Sequence, residues 1–445
     1  MKFYKQTLML LCVLSVQVFY AQEKPQEIVT LEDAIAMGLQ NNTNLQIVAK
    51  ETDIAVNNVY QGNAGLLPTV NLIGAAQYSN NQNETTIRTF QPQPPTISFD
   101  ENGVENETYS AVIQADYSLL GGFAGKYRFK LLQNQSTIAG LQEEAVINAT
   151  VVAITEIFTE IAKLQSREEL IQESINITQK RLDKINDRKQ FGQATGLDVL
   201  RAQTDLNKEK SVLDDVVLAK QNLIKDLNQF IGKETKALYR VNVNYLIPEM
   251  ETMDAITAQV QANNIELKLA QKGITAANHQ IDLAKSAYLP KVNFFANYGY
   301  FEQRNDLQQL AETQNLGFTV GARVRFNIFN GNTTKRTLAN AKIQLEREEL
   351  RIKDVKSQVL TQTNQTVQTI TTLKQQLVRE ETNLNTFEET FRRTEEQYYN
   401  GQATTLDLRE TQTALLNAKI AITDLKLKLI ATTIRLKSLT GSLKE

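Results

Sequence analysis

The chain has 445 residues and a formal net charge of −2, which excludes the strong field that nucleic-acid or acidic-partner binding would call for. Charged residues make up 22%, the level of a folded chain, and Trp is absent. One His and one Cys leave little material for metal, thiolate or cofactor chemistry.

The N-terminus reads as an export signal over residues 1–21. Lys2 and Lys5 form its basic region, Leu8 to Phe19 its apolar core, and Ala21 the last residue before cleavage, although Phe19 is bulky for the −3 position. The core is too short to span a bilayer. Cys12 lies inside it behind Leu11, where a lipidated cysteine would need a small residue, so it is discarded with the signal. The mature chain then has no cysteine, and neither disulfides nor thiolates support it. No later apolar run approaches the roughly 18 residues of a spanning helix. An exported chain of this kind is periplasmic, secreted, or a β-barrel of the outer membrane.

Self-comparison organises the rest. Asn41-Asn42-Thr43-Asn44-Leu45-Gln46 recurs as Asn263-Asn264-Ile265-Glu266-Leu267-Lys268, and Leu67-Pro68-Thr69-Val70-Asn71 as Leu289-Pro290-Lys291-Val292-Asn293. Tyr117 to Gly122 is echoed by Phe326 to Gly331, and Gly192-Gln193-Ala194-Thr195-Gly196-Leu197-Asp198 by Gly401-Gln402-Ala403-Thr404-Thr405-Leu406-Asp407. Two repeats follow, each a helix, two strands, a long helix and a helix. The first, residues 22–232, has strands near 69–79 and 108–119, a long helix over 123–190 and a helix over 197–231. Residues 233–252 link it to the second repeat, 253–445, with strands near 291–301 and 316–329, a long helix over 332–399 and a helix over 405–439.

The prolines all fall outside the expected helices. Between Asn332 and Tyr399 there is neither Gly nor Pro, so one helix of about 100 Å is allowed at 1.5 Å per residue. Such helices must pack on others along their length. Leu408, Leu415, Ala418, Ile422, Leu425, Leu429, Leu436 and Leu439 step by threes, fours and sevens, as do Leu206, Leu213, Val217, Ile224, Leu227 and Ile231. These are coiled-coil seams. The helix Leu31 to Leu66, stacked end to end with Leu197 to Ile231, would match one long helix.

Four segments alternate strictly. Tyr109, Ala111, Ile113, Ala115, Tyr117 and Leu119 interleave with polar residues, as do Leu316, Phe318, Val320, Ala322, Val324, Phe326 and Ile328; Val70 to Tyr78 and Val292 to Tyr300 repeat the pattern. Each is long enough for a transmembrane strand. Open edges cannot face hydrocarbon, and a barrel needs about eight strands, so such a barrel must be shared among copies. Arg323 and Arg325 take the parity opposite the apolar residues and so face the lumen, where they tune ion passage or simply line a solvated wall. Residues 80–107, with Pro92, Pro94 and Pro95 among Asn, Gln and Thr, read as a solvated loop, and Asn305 to Asn315 as its shorter counterpart.

The two Gly-Gln-Ala-Thr segments read as helix-hairpin turns. Gly192 and Gly401 suit a left-handed helix end, and Thr195 and Thr404 can cap the next helix, with Asp198 and Asp407 completing a capping box. Asp407 and Glu410 share one face of the last helix, whereas Asp198 is followed by Arg201. Acids here also complement the helix dipole, so the residues alone leave more than one role open.

In the order and duplication of these elements, the Leu-Pro and Gly-Gly junctions and the Gly-x-x-Thr-x-Leu-Asp turns, nearly the whole mature chain resembles the TolC-like outer membrane factors. The resemblance implies an α+β membrane protein in which three protomers build a twelve-stranded outer-membrane barrel continued by a periplasmic α-helical tunnel. It implies docking on a periplasmic adaptor and an inner-membrane pump, in an efflux or type I secretion system, without cofactor, metal or nucleic acid. Gly192, Gln193, Thr195, Gly401, Gln402 and Thr404 would form the periplasmic tips that meet the adaptor. Asp407 and Glu410 would supply an acidic gate ring. The first copy departs from that pattern, with Arg201 beside Asp198, and there Arg201 is expected to pair with a neighbouring acid and hold the tips shut.

An enzyme is disfavoured: His279 is alone in a polar helical stretch, and Gly121-Gly122-Phe123-Ala124-Gly125 does not match a nucleotide fingerprint. An exported coiled-coil scaffold or adhesin accounts for the heptads and the signal, but not for four strands at matching places. No Met or His cluster and no charge bias singles out a cargo.

Overall fold

The computed structural model describes residues 27–88, 96–243, 249–305 and 311–443. The expected export signal with Cys12, and Pro92, Pro94, Pro95 and Pro248, lie outside them. In chain order the elements are β1 (Ile28–Thr30), α1 (Leu31–Asn41), α2 (Thr43–Asn57), β2 (Thr69–Arg88), β3 (Thr96–Gly121), α3 (Ala124–Gln190), α4 (Gly196–Ile231) and β4 (Arg240–Asn242). They continue as α5 (Met253–Asn263), α6 (Ile265–Ser286), β5 (Lys291–Asn305), β6 (Glu312–Arg325), α7 (Thr333–Tyr399) and α8 (Thr405–Thr440).

The single helix expected over Leu31 to Leu66 is two helices that end at Asn57, broken at Asn42. The break has a physical cause far away in sequence. The Asn42 side-chain amide donates to the Phe230 carbonyl at 3.1 Å, and Asn41 donates to Ile231 at 3.2 Å, so both satisfy the orphan carbonyls at the end of α4. The second repeat does the same, with Asn264 donating to the Leu439 carbonyl at 3.0 Å, between α5 and α6. Gly232 and Gly441 close α4 and α8 in left-handed conformation against these asparagine turns.

The chain forms two compact units that do not follow the tandem repeats: each draws on both. The first comprises residues 1–47, 144–264 and 358–445. Its core joins Ile154, Phe158 and Ile161 of α3, Ile224, Leu227 and Ile231 of α4, and Leu427 of α8. Burial of each such side chain is worth about 1.5–3 kcal/mol. β1 and β4 pair in parallel, and the Gln165 amide of α3 both donates to the Val241 carbonyl and accepts from its N–H, at 3.1 and 3.0 Å. Lower on α3, Ile171, Ile175, Leu182 and Ile185 step by four, seven and three against Ala202 and Leu206 of α4, which is the heptad seam. One stretch of α3 is long and apolar enough to cross a membrane by composition, which the sequence reading passed over. The core of this unit explains it, because half of that stretch is buried there.

The second unit comprises residues 48–143 and 265–357. It carries an antiparallel sheet in the order β2-β3-β5-β6, with β2 and β6 as open edges. The strands outrun their alternating segments. Most of the expected loop over 80–107 is strand, because β2 and β3 continue to pair as a two-stranded ribbon up to Arg88↔Thr96, and β5 and β6 likewise pair as far as Arg304↔Glu312. Conversely β6 ends at Arg325, so Phe326 and Ile328 lie beyond it. Cross-strand register places Val70, Leu72, Ile113, Phe294, Tyr298, Phe318 and Val320 on one face, and Leu72 and Phe318 are 76% and 77% exposed. A face of this size and character belongs against lipid or a partner.

Candidate gate, tip and lumen residues

Both tips are built alike. α3 ends with Gly192 at φ 70°, and Gln193 N–H donates back to the Arg188 carbonyl at 2.8 Å; α7 ends with Gly401 at φ 76°, and Gln402 N–H donates to Gln397 at 2.8 Å. This is the bond pattern that closes a helix through a left-handed residue. Thr195 and Thr404 then cap α4 and α8. Each threonine donates its backbone N–H to an aspartate carboxylate at 2.9 Å, and accepts from that aspartate's own N–H at 3.2 Å. Gln193 and Gln402 remain exposed.

The capping bonds set the charge state of both acids. Thr195 holds the Asp198 carboxyl, and Thr404 the Asp407 carboxyl, below the ordinary aspartate range, with the hydroxyl the larger cause and the backbone N–H the next. A carboxyl held lower in the folded chain stabilises it above the unfolded value near 4, and that contribution is lost as pH falls through the folded value. Thr404→Ala is therefore expected to lower the melting midpoint by a few degrees at pH 7. The difference from the parent should narrow in scans below about pH 4.

Glu410 is exposed on the turn after Asp407. Arg201 is also exposed; within the described residues of one chain it makes no ion pair, though its charge helps hold the Asp198 carboxyl low. Its i+4 neighbour Asp205 is already occupied. Asp205 pairs with Arg181 of α3 at 3.4 Å and with Arg409 of α8, so it ties three helices together. The Arg181 side chain is only 1% exposed. Beside it Thr178 donates to Glu209 at 3.1 Å, and burial pushes the Glu209 carboxyl up against the opposing pull of Thr178 and Arg181. Gln412 of α8 donates to Ser174 Oγ at 2.9 Å, and Arg188 donates to the Tyr398 carbonyl at 2.9 Å while lying over its ring.

The sequence reading missed this network. One signal was available. Asp205 and Glu209 have Ala414 and Ala418 at the matching places of the second repeat, so the first hairpin alone carries acids on that face.

In the sheet, Arg323 and Arg325 lie on the face opposite Phe318 and Val320. Both are exposed, and Arg323 sits 5.4 Å above the ring of Phe295. His279, expected at an exposed or interfacial position, is half-buried, and its Nδ1 has no hydrogen-bond partner. Among the described residues no three His, Cys, Asp or Glu side chains come together as a metal site would require.

The model of the outer membrane efflux proteins matches residues 34–233 and 256–442. The chain belongs to the outer membrane efflux protein family. It is 23% identical to the outer membrane protein TolC of Vibrio cholerae over 305 residues, which is 67% of this chain and 65% of TolC, just under two thirds of that protein's length. It is 21% identical over 406 residues to the pyoverdine export outer membrane protein OpmQ of Pseudomonas aeruginosa, covering 89% of this chain and 82% of that one. Among solved structures, the outer membrane protein VceC of Vibrio cholerae superposes with a TM-score of 0.74 at 18% identity, over 92% of this chain and 96% of VceC. The CmeC outer membrane channel of Campylobacter jejuni gives 0.73 at 15% identity, over 93% of this chain and 85% of CmeC. The fold is thus that of the TolC-like channels, and outer-membrane residence follows from the family.

Proposed function

We propose that this efflux family member is one protomer of an outer-membrane exit duct. In this reading three copies share a twelve-stranded barrel and a helical conduit, and the tips dock on a periplasmic adaptor served by an inner-membrane pump. The observation that carries the reading is the four-stranded sheet itself, whose one face is apolar and exposed and whose β2 and β6 edges are unpaired. Lipid tolerates such a sheet only when other copies close it. An exported scaffold or adhesin would leave that face without a use.

Asp407 and Glu410 then form the acidic constriction of the conduit, a ring-type filter for cations, and Gln193 and Gln402 are adaptor-facing positions. The fixed left-handed turns at Gly192 and Gly401, with their capping boxes, support this by presenting the glutamines on rigid hairpins. A photo-crosslinking residue at Gln193 or Gln402, followed by mass spectrometry in the native cell, should capture a periplasmic adaptor. Capture of no periplasmic protein would discard the docking assignment and leave a passive channel.

A further inference from the structure

The helix-attached end of the sheet carries a cluster of cations that no acid neutralises. Lys291 opens β5 directly across from Arg325, and Asn293 stands across from Arg323, so all four share the face opposite the apolar one. Lys291, Arg323 and Arg325 are exposed and form no ion pair among the described residues. The nearby acid on the same face is Asp116, opposite Phe295; it accepts from the Gln114 amide at 2.6 Å and forms no ion pair with any of the three cations.

An aromatic floor lies beside these cations. The Phe295 ring rests on Gly321, where an added Cβ would come within 2.6 Å of Phe295 Cζ. Only the missing side chain at Gly321 lets the ring lie across β6, and there it meets the Arg323 guanidinium at 5.4 Å. Arginine offers a planar fork for carboxylate or sulfonate groups, and a ring face takes the apolar part of the same molecule. Lys291 and Arg325 add charge without fixing orientation.

We propose that Lys291, Arg323, Arg325 and Phe295 form a binding ring for aromatic organic anions at the helix-attached end of the barrel lumen. The inference rests on the reading of the sheet as part of a closed, conducting barrel. Each copy contributes three cations and one ring face, so a closed barrel carries the set once per protomer. The acids proposed at the tips carry the opposite charge, and ion selectivity of the whole duct is therefore a poor readout of this site.

The test is block of single-channel current in planar bilayers by benzene-1,3,5-tricarboxylate. The parent protein should be blocked. Lys291→Gln with Arg323→Gln and Arg325→Gln should weaken block at least about tenfold, as loss of charge-assisted contacts implies. Gly321→Val, which displaces the Phe295 ring, should weaken it while the cations remain. Arg323→Lys with Arg325→Lys, which keeps the charge, should retain part of the block and guards against a misfolded triple variant. Open channels that resist block in the parent, or block that is unchanged in the triple variant, would overturn the proposal. Absence of any conductance in the parent would instead overturn the channel reading on which it rests.

Discussion

Asp205→Ala is expected to destabilise the helical unit by roughly 3–5 kcal/mol, the cost of leaving a buried charge without its partner. Asp205 is the carboxylate shared by Arg181 and Arg409, and the Arg181 side chain is 1% exposed. Its Nε and Nη1 have no hydrogen-bond partner, and Glu209, whose charge also favours the Arg181 cation, can recover part of the lost pairing, which places the loss toward the lower end of that range. Lys50→Ala is the contrasting control. Its pair with Asp53 is 78% and 61% exposed, so solvent screens it and its loss should leave the unfolding midpoint almost unchanged. Chemical denaturation followed by circular dichroism reads both. Replacing Arg181 and Asp205 together by Met and Leu should restore part of the loss, since apolar pairs of similar volume often match a buried ion pair. An Asp205→Ala variant as stable as the parent would show that water reaches Arg181 in the assembled protein.

Gly232→Ala should be similarly damaging, for a different reason. Gly232 has φ 69°, and an added Cβ would come 2.5 Å from Asn41 Cβ. The left-handed backbone costs a non-glycine residue about 1–2 kcal/mol. The overlap adds about 1–3 kcal/mol, because Asn41 is held by its own bond to Ile231 and cannot retreat freely. Gly192 gives the comparison, with φ 70° but no atom within 4 Å of an added Cβ. Gly192→Ala should therefore lose only the backbone part. Equal effects at the two glycines would mean that the Asn41 turn yields, and that the asparagine lock is weaker than its bonds suggest.

The long helices were legible because their signals are local and cumulative. Proline is absent from both, and the seam residues Leu206, Ile224, Leu227 and Ile231 of the neighbouring helix recur with the coiled-coil period and are buried. The sheet was legible through period two, which the apolar face must keep to stay on one side. What escaped depends on partners distant in sequence. The break at Asn42 is fixed by a carbonyl at Phe230, and the poor helix formers Asn41-Asn42-Thr43-Asn44 mark the place locally without showing what holds it. The ribbon over 80–88 and 96–105 escaped because Asn, Gln and Thr read as loop, whereas backbone pairing to Arg88↔Thr96 is indifferent to side-chain polarity.

The candidate site divides in the same way. The tip caps could be read from Thr and Asp three residues apart, since a capping box is a local device. The Arg181, Asp205 and Arg409 cluster could not, since it joins α3, α4 and α8. Lys291 was overlooked for a similar reason: only the register of β5 on β6 brings it opposite Arg325.

The central claim is that one chain cannot close its own barrel. Native mass spectrometry of the protein extracted from outer membranes in mild detergent tests it most directly. The account predicts a species of three chains that survives gentle activation and falls to monomers only with loss of β-structure. A folded monomer, with its sheet intact and no larger species, would contradict it.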